Sequence, residues 1–342
     1  MTTDVHAHCV PLGFLDALRG EGDRYGVEVL DAEAGTTVRI AGRVDAGPLR
    51  ADFADVDARL AAMDRAGVQT QFLSSWIDLS AYALLAHEGA RYARLFNELL
   101  AQTVAAHPTR FRALCTVPLQ SPADAGRELR YAVDRLDAVG VEIATTVDGR
   151  ELDDRSLDPF WATAAELGCL VVVHPYNALA GREVSRYFLN NLVGNPAETT
   201  IAVAHLIFGG VLERHPDLRV CVVHGGGFLP YQSGRLDRGY TAAAGRTAGN
   251  LTCPPSAWLR RLYFDTVMHA PALLAALVDF VGAEHVVMGS DYPFEMGDPD
   301  PVATVDAIPG LSAGDRNLIM QGNVDRLLAH LPGAAGQHAA SP

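Results

Sequence analysis

Short runs of aliphatic and β-branched residues alternate along this chain with longer segments whose apolar residues recur at helical spacing. The runs 3–8, 68–74, 112–117, 139–145, 169–174, 219–224, 262–266 and 285–290 predict eight strands. Between them, segments such as 56–66 and 88–106 predict helices, with Leu95, Leu99 and Leu100 on one apolar face. Several strand runs, V-C-V-V-H and H-V-V-M-G among them, are apolar throughout, as expected where a strand is covered on both faces. Eight such strands with helical crossovers predict an α/β fold, a (β/α)8 TIM barrel rather than an open sheet, with residues 1–331 in one domain.

Two stretches distort that pattern. Residues 24–44 hold Y-G-V-E-V-L and T-T-V-R-I around D-A-E-A-G, which predicts a small β-hairpin inserted after the first strand. Residues 178–218 are long for one crossover and predict two helices, the second around 199–214. The ending, 332–342, has no periodicity and reads as a frayed tail.

Composition removes several classes of function. The formal charge of −14 argues against a nucleic-acid partner. The longest apolar strand run, Cys169 to Val173, is far too short to span a membrane. The first residues have no basic or apolar leader, and the five cysteines (Cys9, Cys115, Cys169, Cys221, Cys253) are scattered without a CxxC. Reduced thiols in a cytoplasmic protein are the expectation. All 27 basic residues are arginine, so a Schiff-base lysine, a P-loop and a carboxylated lysine bridging two metals are excluded.

In a barrel of this kind the chemistry sits where strands end. The first strand ends in D-V-H-A-H, and His6 and His8 alternate to one side because strand period is two. The fifth ends in His174, the sixth in His224 and the eighth in Asp291. A lone strand histidine is usually a hydrogen-bonded core group, but five metal-binding side chains at four strand ends predict a shared site. Histidine with aspartate suits one divalent ion, Zn²⁺ first, with Mn²⁺, Fe²⁺ or Co²⁺ as alternatives.

HxH after strand one, His after five, His after six and Asp after eight resembles the amidohydrolase superfamily. Within it, the chain is similar to the branch named for 2-amino-3-carboxymuconate-6-semialdehyde decarboxylase. The stretches that carry the likeness are His174-Pro175-Tyr176, N-P-A-E-T (195–199), H-G-G-G (224–227), G-R-L-D (234–237), P-P-S (254–256) and G-S-D-Y-P-F (289–294). The resemblance implies a mononuclear site in which His6, His8, His174 and Asp291 hold the metal. It implies His224, with Asp291, as the acid/base pair and a homodimer in which Arg235 reaches the neighbouring site. It also implies non-oxidative decarboxylation of a small unsaturated or aromatic acid. The branch's second partner arginine falls at about Ala243, and its hairpin arginine falls near Gly47, between Arg43 and Arg50. A phenolic or other monocarboxylic acid is therefore expected rather than the muconate semialdehyde.

The same constellation could serve a hydrolase or hydratase acting on an amide, lactone or C=C bond, or an idle metal-binding barrel. Further candidates are weighed against structural roles. Glu142 on the fourth strand could enter the pocket or form a buried ion pair. His269, beyond the seventh strand, could line the mouth, with Asp265 orienting it or capping the next helix. Trp76 and Phe294 could stack on a planar substrate or pack in the core. Cys9 is expected to point away from both histidines, and His205 to be a core residue of a helix.

Overall fold

The computed structural model describes residues 1–33, 35–176, 179, 182–247, 249 and 251–331. The tail expected over 332–342 lies outside the described residues. Eight strands form one parallel sheet in chain order: Thr3–Cys9, Thr70–Ser75, Phe111–Cys115, Gly140–Ala144, Leu170–His174, Arg219–Val222, Tyr263–Asp265 and Val286–Val287. The sheet closes on itself. Val5 N donates to Met288 O at 2.9 Å and His8 N to Tyr292 O at 2.7 Å, beside a parallel bridge between Ala7 and Tyr292. This is the expected (β/α)8 barrel. It is distorted because the last two strands are short, the eighth ending at Val287, well before 290.

The strand runs carry this fold because each is buried on both sides. Leu170, Val171, Val172, Val173 and His174 are all buried, as the unbroken apolar pattern requires. Val172 shares a strand face with His174 and packs with Phe72, Leu114, Cys221 and Val287. A layer of apolar side chains thus lies on the N-terminal side of the polar mouth. Helices Val56–Arg65 and Ala86–Ala106 occupy the two segments where helical spacing predicted them.

The insertion differs from the expected hairpin over 24–44. The helix Phe14–Tyr25 takes its first residues, and three antiparallel strands follow: Val27–Ala32, Gly35–Ile40 and Val44–Leu49. The third strand is hidden in the sequence by Gly47-Pro48, a pair that reads as a turn. It is tolerated because this strand lies at the sheet edge. At Gly47, φ is 153° and an added Cβ would stand 2.6 Å from Thr37 Oγ1, so only glycine fits.

In the long crossover, the helix expected around 199–214 is two helices, Asn195–Phe208 and Val211–Arg214, divided at Gly209-Gly210. Before them the described residues form short turns, Arg186–Phe188 and Asn190–Gly194, in place of a first long helix. Among the described residues, no helix is long and apolar enough to cross a membrane.

Candidate metal centre and active-site cleft

His6 and His8 leave the first strand on one side, and their Nε2 atoms stand 3.1 Å apart. Asp291 Oδ1 lies 3.1 Å from His8 Nε2 and 3.4 Å from His6 Nε2. His174 joins them from the fifth strand. One ligand atom from each of His6, His8, His174 and Asp291 falls within 4.8 Å of the others, and all four residues are buried.

The other side of each ring decides what these atoms can do. His6 Nδ1 faces Asp265 Oδ2 at 2.6 Å, His8 Nδ1 faces the Ser75 carbonyl at 2.9 Å, and His174 Nδ1 faces the Pro175 carbonyl at 3.0 Å. All three partners are acceptors, so each Nδ1 carries the proton and, in the neutral ring, each Nε2 turns a lone pair to the common centre. His174 Nε2 is buried with no hydrogen-bond partner. Such an orphan costs free energy unless something fills the point it faces. Three imidazole lone pairs and a carboxylate are a donor set that fits one divalent cation.

The electrostatics agree. Burial alone would lower the His6 pKa, but Asp291 and Asp265 outweigh it and raise it to about 9. Burial, reinforced by His8, His224 and His6, holds His174 well below the usual imidazole range. Burial would raise Asp291, yet His6, His224 and His8 hold it well below the usual carboxylate range. The cluster stands ready to exchange the proton on His6 for a cation.

A second layer fixes these groups. Asp265 Oδ1 accepts from Gly225 N at 2.8 Å and Val267 N at 3.2 Å, so one carboxylate joins the His6 ring to the turn carrying His224. Asp265 therefore orients His6, and neither of the roles expected for it, orienting His269 or capping a helix, is the one observed. Asp4 accepts from His6 N and Ser290 N, both at 3.0 Å, and from Gln71 Nε2 at 2.8 Å, tying the first strand to the segment before Asp291. Arg59, buried with its guanidinium 4.7 Å from the Tyr292 ring centre, donates to Gln71 Oε1 at 2.9 Å and to His8 O at 2.5 Å. His224 and Asp291 have φ of 54° and 59°, a left-handed conformation uncommon for residues with a Cβ. Strain of this kind collects at functional sites.

Above the cluster opens a cleft of about 1290 Å³, with His174, His224 and Asp291 at its base and Trp76, Asp78 and Phe294 on its walls. His224 Nε2 stands 3.4 Å from Asp291 Oδ2, and its side chain keeps 17% exposure where those of His6 and His8 keep 1% or less. It is thus the imidazole an incoming molecule meets. Trp76 stacks on Phe53 with ring centres 5.5 Å apart, and Phe294 stands edge-on to both Trp76 and His8. Both aromatic candidates are at the cleft.

Other candidates lie elsewhere. Glu142 is buried beneath the cluster, accepting from Ser74 Oγ at 2.9 Å and lying 3.7 Å from His8 Nδ1, and so supports the site rather than lining the cleft. His269 is exposed and outside the cleft lining. Arg235 is exposed on the helix Leu229–Ala242, away from this chain's own cleft and without a partner among the described residues. Of the two arginines flanking Gly47, Arg50 lines the cleft while Arg43 pairs with Asp148 at 3.0 Å on the surface. Cys9 is buried, which pushes its thiol up to about 12. His205 is half-buried rather than core, its Nδ1 2.9 Å from Asp153. Sequence reasoning missed Asp4 and Asp78. A signal existed for each, since Asp4 alternates with His6 and His8 on a buried strand and Asp78 is a lone acid in W-I-D-L-S.

Comparison with known proteins agrees with this geometry. The chain is 33% identical over 269 residues to a 2-amino-3-carboxymuconate-6-semialdehyde decarboxylase of Dictyostelium discoideum, covering 79% of this chain and 75% of that protein. It is 29% identical over 307 residues to a gamma-resorcylate decarboxylase of a Polaromonas species, covering 82% and 89%. Among solved structures, 5-carboxyvanillate decarboxylase from Sphingomonas paucimobilis superposes with a TM-score of 0.82 at 26% identity, covering 96% of this chain and 98% of that one. The amidohydrolase family model matches residues 3–329, and the chain belongs to that family.

Proposed function

We propose that this chain is a metal-dependent, non-oxidative decarboxylase of a small unsaturated or aromatic carboxylic acid. What carries the reading is the convergence of three Nε2 atoms and Asp291 on one point, at the base of an aromatic-walled cleft and beside the more exposed His224. The names of its relatives support the reaction class. His6, His8, His174 and Asp291 would hold the ion, and the donor set favours Zn²⁺ while also suiting Mn²⁺, Fe²⁺ or Co²⁺. When bound, a divalent ion supplies Lewis-acid stabilisation of negative charge on the acid.

The chain's own groups supply the rest. His224 is the proton donor, since an imidazole can give and regain a proton near neutrality. It protonates the carbon that bears the carboxylate. The new C–H bond takes a π pair of the unsaturated system; the bond to the carboxylate then breaks, its electron pair restores that π system, and CO₂ leaves. Asp291 Oδ2, at 3.4 Å, orients the His224 ring and stabilises its charged form before the transfer. Trp76 and Phe294 hold a planar substrate over the base of the cleft. We further propose a homodimer in which Arg235 of each copy binds the acid in its partner's cleft, which would account for an exposed arginine without a hydrogen bond or ion pair among the described residues.

The test is CO₂ release from a panel of hydroxybenzoates and short unsaturated acids, with metal content measured on the same preparation. Release that depends on one metal per chain supports the reading. Hydrolysis of amides or lactones without CO₂ would replace it.

A further inference from the structure

The cleft contains a carboxylate that neither the metal cluster nor proton transfer at His224 uses. Asp78 sits in the short helical turn Ile77–Ser80 that follows the second barrel strand. Its neighbours Ile77 and Leu79 are buried apolar side chains, while Asp78 joins Trp76 in the cleft wall. Among the described residues its carboxylate has no hydrogen bond and no ion pair. Burial pushes its pKa up to about 6 although the nearby His8 pulls the other way.

Among the described residues only the charge of His8 works against this cost, and no hydrogen bond does. Arg50, the arginine of the insertion that lines the cleft, is committed to Asp52 and to the Pro293 carbonyl. Of the buried carboxylates around the site, Asp4 is engaged by Ser290 and Gln71, Asp265 by His6, and Glu142 through one oxygen by Ser74, while Glu295 at the cleft rim is exposed to solvent. A poorly solvated carboxylate open to a binding cleft can only accept hydrogen bonds. A ring hydroxyl or amino group would satisfy it, a methyl group would leave it unpaired, and a second carboxylate would be repelled.

We propose that Asp78 is a specificity-determining residue of this cleft, accepting a hydrogen bond from a hydroxyl or amino substituent on the substrate. The substrate class is then a hydroxy- or amino-substituted unsaturated or aromatic acid with one carboxylate. This rests on the decarboxylase reading for the carboxylate and adds the second group the substrate must carry. Sites built to pair a donor reject analogues lacking it strongly, because the protein group is left unpaired. Asp78 keeps some solvent through the cleft, so the discrimination is expected at about 10- to 100-fold.

The experiment is calorimetric binding of matched 2-hydroxybenzoates to the metal-loaded protein. Each pair carries a hydroxyl or amino group, or else a methyl group, at one remaining ring position, and CO₂ release is followed on the same compounds. The expected result is a preference of at least about tenfold for the donor-bearing ring at one position, erased in Asp78→Leu and partly kept in Asp78→Asn, whose amide oxygen still accepts. Unchanged metal content and circular dichroism establish that each variant is folded, and Asn alone decides the matter if Leu does not fold. A preference undiminished in either folded variant overturns the proposal, as does a wild type that binds both rings equally or neither. Loss of preference in the variants, with no CO₂ from any acid, supports the role of Asp78 and overturns decarboxylation. Release of CO₂ with the preference unchanged does the reverse.

Discussion

Asp265 Oδ2 stands 2.6 Å from His6 Nδ1, so the last residue of the seventh barrel strand aims a ring on the first. Both side chains are buried; burial would raise the Asp265 carboxyl, but His6, His224 and the Gly225 amide together hold it below its usual range. A carboxylate behind an imidazole fixes which nitrogen carries the proton and raises the basicity of the other.

Asp265→Asn keeps the shape of that partner but removes its charge and can turn an N–H toward Nδ1. Metal affinity should fall by about 10- to 100-fold with the fold intact. Competition against a chromophoric chelator measures it. Affinity equal to the wild type would mean that the contact does not position His6.

The four converging side chains and His224 should separate cleanly by elemental analysis. About one equivalent of metal per chain is expected in the wild type and a large loss in His8→Ala or His174→Ala. His224→Ala should retain its metal and lose about 10²–10⁴ in turnover. Metal loss in that variant would make His224 a ligand rather than the proton donor.

Asp78 should cost the fold stability in proportion to its raised pKa. Its pKa is about 6 in the folded state against 3.8 for the ordinary group. Between these values the folded protein keeps a proton that the unfolded chain has released, so stability falls as pH rises through that window. Above it the loss is constant, at most about 3 kcal/mol at 1.36 kcal/mol per unit. Asp78→Asn should therefore raise the unfolding free energy of metal-free protein at pH ~8 by about 1–3 kcal/mol, with the gain vanishing below pH ~4. Urea titrations at the two pH values report the difference, and no gain at the higher pH would contradict it.

Arg59 is the buried link between the second strand and the His8 carbonyl. Arg59→Met removes two charge-assisted hydrogen bonds and leaves Gln71 Oε1 and His8 O without that donor. A destabilisation of about 2–4 kcal/mol is expected, read as a lower urea midpoint at unchanged slope. An unchanged midpoint would show that water replaces the guanidinium.

Arg235→Ala tests the proposed exchange between subunits. If the partner's arginine contacts the acid, KM should rise by the equivalent of about 1.5–3 kcal/mol while the mass in solution stays that of a dimer. Light scattering reads the mass and steady-state kinetics the KM. A monomeric wild type removes the exchange altogether.

The eight strands, the helices over 56–66 and 88–106, and the five metal-binding side chains at strand ends were legible because each depends on local periodicity, while the resemblance divided those five into four ligands and His224. A buried parallel strand must be apolar on both faces, and a polar side chain at its end then stands out, as His174 does after Leu170-Val171-Val172-Val173. The third strand of the insertion was not legible, because Gly47-Pro48 has the local chemistry of a turn and only its edge position permits it. Partnerships were not legible either. Asp265 and His6 are 259 residues apart, and only closure of the barrel sets their strands within reach. That Arg59 reaches His8, that Glu142 lies beneath the cluster and that Asp78 meets no partner among the described residues are facts of the same kind. Sequence alone determined the barrel strands and the polar side chains at their ends, because rise, pleat and burial act within a few residues. Tertiary structure decided which nitrogen each imidazole presents and which carboxylate is left for a ligand, because hydrogen-bond partners are chosen among neighbours in space.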